Sequence, residues 1–169
     1  MKPPLILKTI LDIVFFFGIL GLFAPFLILL FSLTENPIPI EINGRTVSDF
    51  TYLTIGLIAV NYLISIFSVY IIYLIRKLVR SFFKNKFFTK QQISLLNITG
   101  KLIIICSVAQ IFINFFSTVI LEGKARVGIS VGVTFDNFLF VIAIGLFFIY
   151  LAKLFDNARI AKEENELTV

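Results

Sequence analysis

Histidine and tryptophan are absent from the chain, and cysteine occurs once, at Cys106. A single thiol forms no intrachain disulfide. Without histidine, neither a zinc cluster nor a Cys–His or Ser–His nucleophile can be assembled within one chain. Charge is scarce as well: 15% of the 169 residues are charged, 59% are apolar or aromatic, and the mean hydropathy is +1.01. A soluble domain carries roughly 25% charged and 45–50% apolar residues. The shortage excludes an ordinary water-soluble globule. No cofactor or metal is expected, and the apolar stretches lack the paired carboxylates or Ser–Lys arrangement of an intramembrane hydrolase, so an enzyme is not expected.

What the chain has in abundance is long apolar runs. Four of them, Ile10–Phe31, Phe50–Ile75, Leu102–Leu121 and Phe138–Leu154, approach or exceed the roughly 20 residues a helix needs to cross a bilayer. The fourth is the shortest, and Val131–Phe138 or Phe155–Ala161 can extend it. None shows the period-two alternation of a barrel strand. The expected fold is therefore all-α: a single membrane domain, a four-transmembrane-helix bundle. The first run is read as a retained anchor, because it is too long for a signal peptide and no small-x-small site follows it. Its internal Ala24-Pro25 marks a kink.

The basic residues are unevenly shared. Lys2 and Lys8 precede the first span. Arg76, Lys77, Arg80, Lys84, Lys86, Lys90 and Lys101 lie between the second and third, and Lys153, Arg159 and Lys162 follow the fourth. These twelve fall on one side and only Arg45, Lys124 and Arg126 on the other. Positively charged loops stay cytoplasmic, so both termini, the loop 76–101 and the tail 155–169 are expected inside. Tyr52, Tyr70, Tyr73 and Tyr150 lie near span ends, where amphipathic rings favour the interface.

Both outer loops carry strand patterns. Ile38–Ile42 and Arg45–Val47 flank Asn43-Gly44, a strong hairpin signal. In the second loop Val127, Ile129, Val131 and Val133 alternate with Gly128, Ser130, Gly132 and Thr134. A small extracytoplasmic β-sheet made by the two loops is the expectation, since a lone hairpin is marginal in water. On the inner side, Arg76, Lys77, Arg80, Lys84 and Lys86 with Phe82, Phe83, Phe87 and Phe88 make a surface for anionic lipids or a partner. Direct nucleic-acid binding is not expected. Thr89 and Gln92 have capping-box spacing, so a helix should begin there and run into the third span.

Polar residues within the spans fall in stripes. Asn61, Ser65 and Ser68 share one helical face, and Ser107, Gln110, Asn114 and Ser117 share another. Antiparallel packing puts Asn61 near the depth of Gln110 and Asn114, so hydrogen bonds between the two stripes are expected. Asp12 is the single carboxylate inside a span and lies one turn from Lys8, suggesting an interfacial i,i+4 pair. Gly18, Gly21 and Ala24 form a small-residue strip suited to a close helix contact, and Cys106 reads as a small buried hydrophobe.

Phe87–Leu102, FFTKQQISLLNITGKL, resembles the phenylalanine-threonine…isoleucine-glycine element of the bacterial four-span membrane family called domain of unknown function 2975. The ending Lys162–Val169, KEENELTV, is similar to that family's acidic Leu-Thr-Ile/Val terminus. Leu96-Asn97 replaces a common leucine-arginine pair, and Lys86 stands where proline is frequent. The resemblance implies a protein of the bacterial cytoplasmic (inner) membrane that partners a small helix-turn-helix DNA-binding regulator. The expected role is a sensor or regulator, with the acidic tail Glu163, Glu164, Glu166, Leu167, Thr168 and Val169 as the partner contact. The alternative is a small transporter or channel, a homo-oligomer, using the polar stripes. Missing charged groups and the lack of an inverted repeat speak against it.

The orientation is directly testable. In a Cys106→Ser background, a Lys84→Cys variant should resist a membrane-impermeant thiol reagent in intact cells and react after permeabilisation. Labelling from outside would reverse the orientation.

Overall fold

A computed structural model of the chain describes residues 5–31, 40–42, 45–47, 51–82, 88–122 and 138–167. They form α1 (Leu5–Gly21), α2 (Phe23–Phe31), strands β1 (Ile40–Ile42) and β2 (Arg45–Val47), and helices α3 (Tyr52–Phe82), α4 (Lys90–Glu122) and α5 (Phe138–Leu167). Four helical segments are long and apolar enough to cross a membrane, Ile6–Leu27, Tyr52–Phe82, Lys90–Val119 and Phe138–Glu166, the first of them running through α1 into α2. The chain is thus read as a multi-pass membrane protein. Its exposed surface agrees: Phe16, Phe17, Leu63, Ile105, Phe112 and Phe147 are each more than half exposed, which water would penalise and lipid does not.

The first span is broken where the sequence places proline. Pro25 has no N–H to offer the Gly21 carbonyl four residues back, and its ring crowds that position. The Leu22 N–H donates instead to the Ile19 carbonyl at 3.1 Å, a tighter three-residue turn, before Phe26 N–H resumes the helical pattern to Leu22 at 3.3 Å.

α4 starts at the expected cap. Gln92 N–H donates to Thr89 Oγ1 at 3.3 Å, and Thr89 N–H donates to Gln92 Oε1 at 3.1 Å. This reciprocal pair satisfies two donors that the helix start leaves free. Phe88, immediately before the cap, has φ 60°, a left-handed conformation unusual for a side-chain-bearing residue. Its ring packs edge-on to Phe155 at 5.1 Å, and Phe82 does the same from α3 at 5.9 Å. Much of the expected inner loop 76–101 is therefore helical, as the last turns of α3 and the first of α4.

The tightest packing joins α4 to α5. A Cβ added to Gly100 would lie 2.6 Å from the Gly145 carbonyl oxygen, and one added to Gly145 would lie 2.9 Å from the Gly100 oxygen. The two backbones are in direct contact there. α3 closes over this pair with Leu74 and Leu78 against Leu95, Leu96 and Ala152, the buried core of the described residues. Phe82, Phe148, Leu151 and Phe155 surround it.

These contacts fix relative depth. Phe138, the first residue of α5, is level with Ser107, so α4 continues fifteen residues, about 22 Å, past the start of α5. At the opposite end α5 runs twelve residues beyond Phe155, about 18 Å past the ends of α3 and α4.

The expected sheet shared by two loops is not supported. The strands among the described residues are β1 and β2, antiparallel with Ile40 opposite Val47 and Ile42 opposite Arg45, and both belong to the first loop. Val127–Thr134 lies outside the described residues. Two three-residue strands make too short a ladder to stand as a sheet of their own.

Gly100→Ala should lower stability by about 1–3 kcal/mol, because its methyl group meets backbone rather than a movable side chain. Gly56→Ala, with open space around the added carbon, should be neutral or stabilising by up to about 1 kcal/mol. Thermal unfolding in detergent separates the two, and equal midpoints would contradict the contact.

Candidate functional site: an ionic clamp, a buried cap and a projecting tail

The first span, α2 and then α1, meets α3 along one antiparallel seam. Phe26 touches Tyr62 at 6.2 Å, Gly18 faces Val69 and Ile72, and Phe15 lies 6.0 Å from Tyr73. The seam ends in charge. Arg76 Nε donates to Asp12 Oδ1, and Arg80 Nη2 donates to the same oxygen at 3.2 Å. The Arg76 guanidinium also sits 4.9 Å above the Phe15 ring, a cation–π contact. Two cations from α3 therefore hold one carboxylate on α1.

This corrects the expected Lys8–Asp12 pair. Lys8 acts on Asp12 only as a nearby positive charge, while the hydrogen-bonded partners come from another helix. Arginine takes the role because its planar fork grips a carboxylate oxygen better than an ammonium does. Arg76 and Arg80 are thereby partly withdrawn from the expected lipid or partner surface. Lys77 remains exposed, and Lys84 and Lys86 lie outside the described residues.

Ser65 and Ser68 turn away from the core that α3 makes with α4 and α5. Ser65 and Ser68 lie one turn from Val69 and Ile72 respectively, the residues packed on Gly18, so both lie toward the α1 side of α3. Leu74 and Leu78, which meet α4 and α5, lie roughly 100° around the helix from Ser68. The hydroxyls turn inward to their own helix instead. Ser65 Oγ donates to the Asn61 carbonyl at 3.0 Å and Ser68 Oγ to the Ile64 carbonyl at 3.0 Å. On α4, Gln110 Nε2 donates to Asn114 Oδ1 at 3.1 Å, and Ser117 Oγ donates to the Asn114 carbonyl at 2.9 Å. Ser107 reaches another helix, donating to the Phe138 carbonyl of α5 at 3.4 Å. The expected bonds from Asn61 to Gln110 or Asn114 are not among these contacts. Likewise, of the small-residue strip on α1, Gly18 makes a close contact at 3.3 Å and Gly21 meets nothing within 4 Å.

The sequence reading missed how deeply α4 buries polar groups near its start. Gln92 is 1% exposed and Thr99 0% exposed, and Thr99 Oγ1 has no hydrogen-bond partner among the described residues. Thr99 precedes Gly100, so this polar atom lies beside the α4–α5 contact. The Thr-Gly pair inside the Phe87–Leu102 element was the available signal.

The tail is a continuation of α5. Arg159 Nη2 pairs with Asp156 at 3.0 Å and its Nη1 with Glu163 at 2.9 Å, while Lys162 reaches Glu166 at 3.7 Å. Glu163, Glu164 and Glu166 are exposed, Leu167 ends the helix, and Thr168 and Val169 lie outside the described residues. Exposed pairs of this kind contribute little to stability, because water screens them. They keep the segment helical, with Glu163 and Glu166 each in an ion pair on its exposed face.

A family model described as "Protein of unknown function (DUF2975)" matches residues 40–169, about three quarters of the chain. The match covers α3, α4, α5 and the hairpin, and leaves Asp12 outside. Comparison with curated proteins and with solved structures gives no match.

The ionic clamp yields a prediction. With cysteines at positions 18 and 69 and Cys106 replaced by serine, disulfide crosslinking of α1 to α3 should be efficient. Asp12→Asn should reduce its yield severalfold, and Asp12→Glu should retain most of it. An unchanged yield in the asparagine variant would show that the clamp does not hold α1.

Proposed function

We propose, on the premise that the chain belongs to the DUF2975 family of proteins of unknown function, that it is a membrane-embedded sensor or regulator. It sits in the bacterial inner membrane with both termini in the cytoplasm, and its α5 tail engages a small helix-turn-helix DNA-binding partner. The observation that supports this reading best is that α5 is one unbroken helix from Phe138 to Leu167. The same rigid element packs backbone to backbone on α4 within the bundle and presents exposed carboxylates about 12–16 Å beyond it. A change in bundle packing therefore moves the acidic tip. DNA-binding domains carry basic surfaces, and an acidic helix is complementary to them.

The one-sided distribution of lysine and arginine supports the orientation. The transporter alternative needs a solute path between α3 and α4, and the polar stripes there are neutral. Neutral groups bonded to their own helices leave such a path without fixed binding groups.

Crosslinking in native membranes followed by purification of the tagged chain tests the proposal. A helix-turn-helix protein should accompany the full chain and be lost when Glu163–Val169 is deleted, with membrane insertion unchanged. Retention of that partner at full strength by the truncated chain would overturn the tail's role.

A further inference from the structure

The strongest feature not used by the tail is a groove along α1 beside the ionic clamp. It is an open depression of about 450 Å³ lined by Lys8, Thr9, Asp12, Ile13, Phe16 and Phe17. The lining changes character along the helix axis. Lys8, Thr9 and Asp12 form one end; Ile13, Phe16 and Phe17 form the other, about 13 Å from first residue to last.

We propose that this groove holds one anionic glycerophospholipid of the surrounding bilayer, its phosphate at Lys8, beside the Arg80 that bonds Asp12 at the groove's edge, and an acyl chain along Ile13, Phe16 and Phe17. The charges at the polar end do not cancel. Asp12 supplies one negative charge against three positive ones, from Arg76 and Arg80 on α3 and Lys8 on its own helix. Arg76 is committed to Asp12 and the Phe15 face. Arg80, however, meets Asp12 through Nη2 and is half exposed, and a guanidinium carries five N–H donors. Lys8 is exposed one turn farther along α1, at the mouth of the groove. A phosphodiester, with one negative charge and acceptor oxygens only, complements this excess. The apolar end points toward the middle of the membrane, where Ile13, Phe16 and Phe17 are 49%, 61% and 62% exposed. A soluble anion leaves that surface uncovered; a lipid covers both ends. The proposal is independent of the tail and its partner.

Native mass spectrometry of the full-length protein released from detergent, supplied with equal amounts of phosphatidylglycerol and phosphatidylcholine, tests it. Retention of phosphatidylglycerol should exceed that of phosphatidylcholine, and Lys8→Gln should reduce the excess about fivefold, the effect of one basic residue near an anionic surface. Lys153→Gln, an exposed lysine on α5, should leave it unchanged. Phosphatidylglycerol carrying a photoactivatable acyl chain should label Ile13–Phe17 in the unaltered protein, which keeps the test independent of how the variants insert. Equal retention of the two lipids, an unchanged preference in the Lys8 variant, or labelling confined to other helices would overturn the proposal. Equally strong retention of glycerol phosphate would overturn it in favour of a soluble phosphate. Copy-to-copy crosslinking through a Phe17→Cys variant that excludes the lipid would overturn it in favour of a second chain.

Discussion

The contact between Gly100 and Gly145 is the constraint on which the rest of the arrangement depends. In lipid there is little hydrophobic drive to bring helices together, so close packing and hydrogen bonds decide which faces meet. Two glycines opposite each other let the α4 and α5 backbones touch, and any side chain there would part them. Once that pair is set, the levels of Phe155, Phe88 and Phe82 follow, and Leu74 and Leu78 of α3 fill the groove between α4 and α5. α1 is then added last, against α3, through aromatic contacts and the Asp12 clamp. The structure is thus a compact three-helix unit carrying a less buried fourth span.

The helices themselves were legible because lipid imposes a simple requirement. A spanning segment must satisfy its own backbone, so length and apolarity suffice to find it. Local chemistry was legible too: Pro25 lies in the first turn of α2, just past the break at Leu22, and Thr89 and Gln92 form the reciprocal cap. What periodicity did not disclose was how the helices are rotated about their axes. Asn61, Ser65 and Ser68 share a face, as do Gln110, Asn114 and Ser117, but a helical stripe says nothing about which neighbour it meets. Serine and the amides also find partners within one turn, so the expected cross-helix bonds were not required.

The Asp12 site shows the same limit from the opposite direction. Sequence spacing favoured Lys8 because it is four residues away, whereas Arg76 is sixty-four away. Antiparallel spans place opposite charges at one depth without any local signature. Matching charged residues by their distance from span ends would have found the pair. Gly100 and Gly145 escaped for a similar reason, since each is a lone glycine in its own helix and gains meaning only opposite the other. The tail needed no such pairing, and its helix, with Arg159 between Asp156 and Glu163, follows from local spacing alone.

The unbroken course of α5 has a mechanical consequence. From the pivot at Gly145 to Leu167 the helix measures about 33 Å, so a tilt of about 5° displaces its tip by ~3 Å. That is the length of a hydrogen bond. The first span is not one such lever, because it is interrupted at Leu22 between α1 and α2. A disturbance too small to unpack any helix is therefore enough, at the far end of α5, to make or break a polar contact.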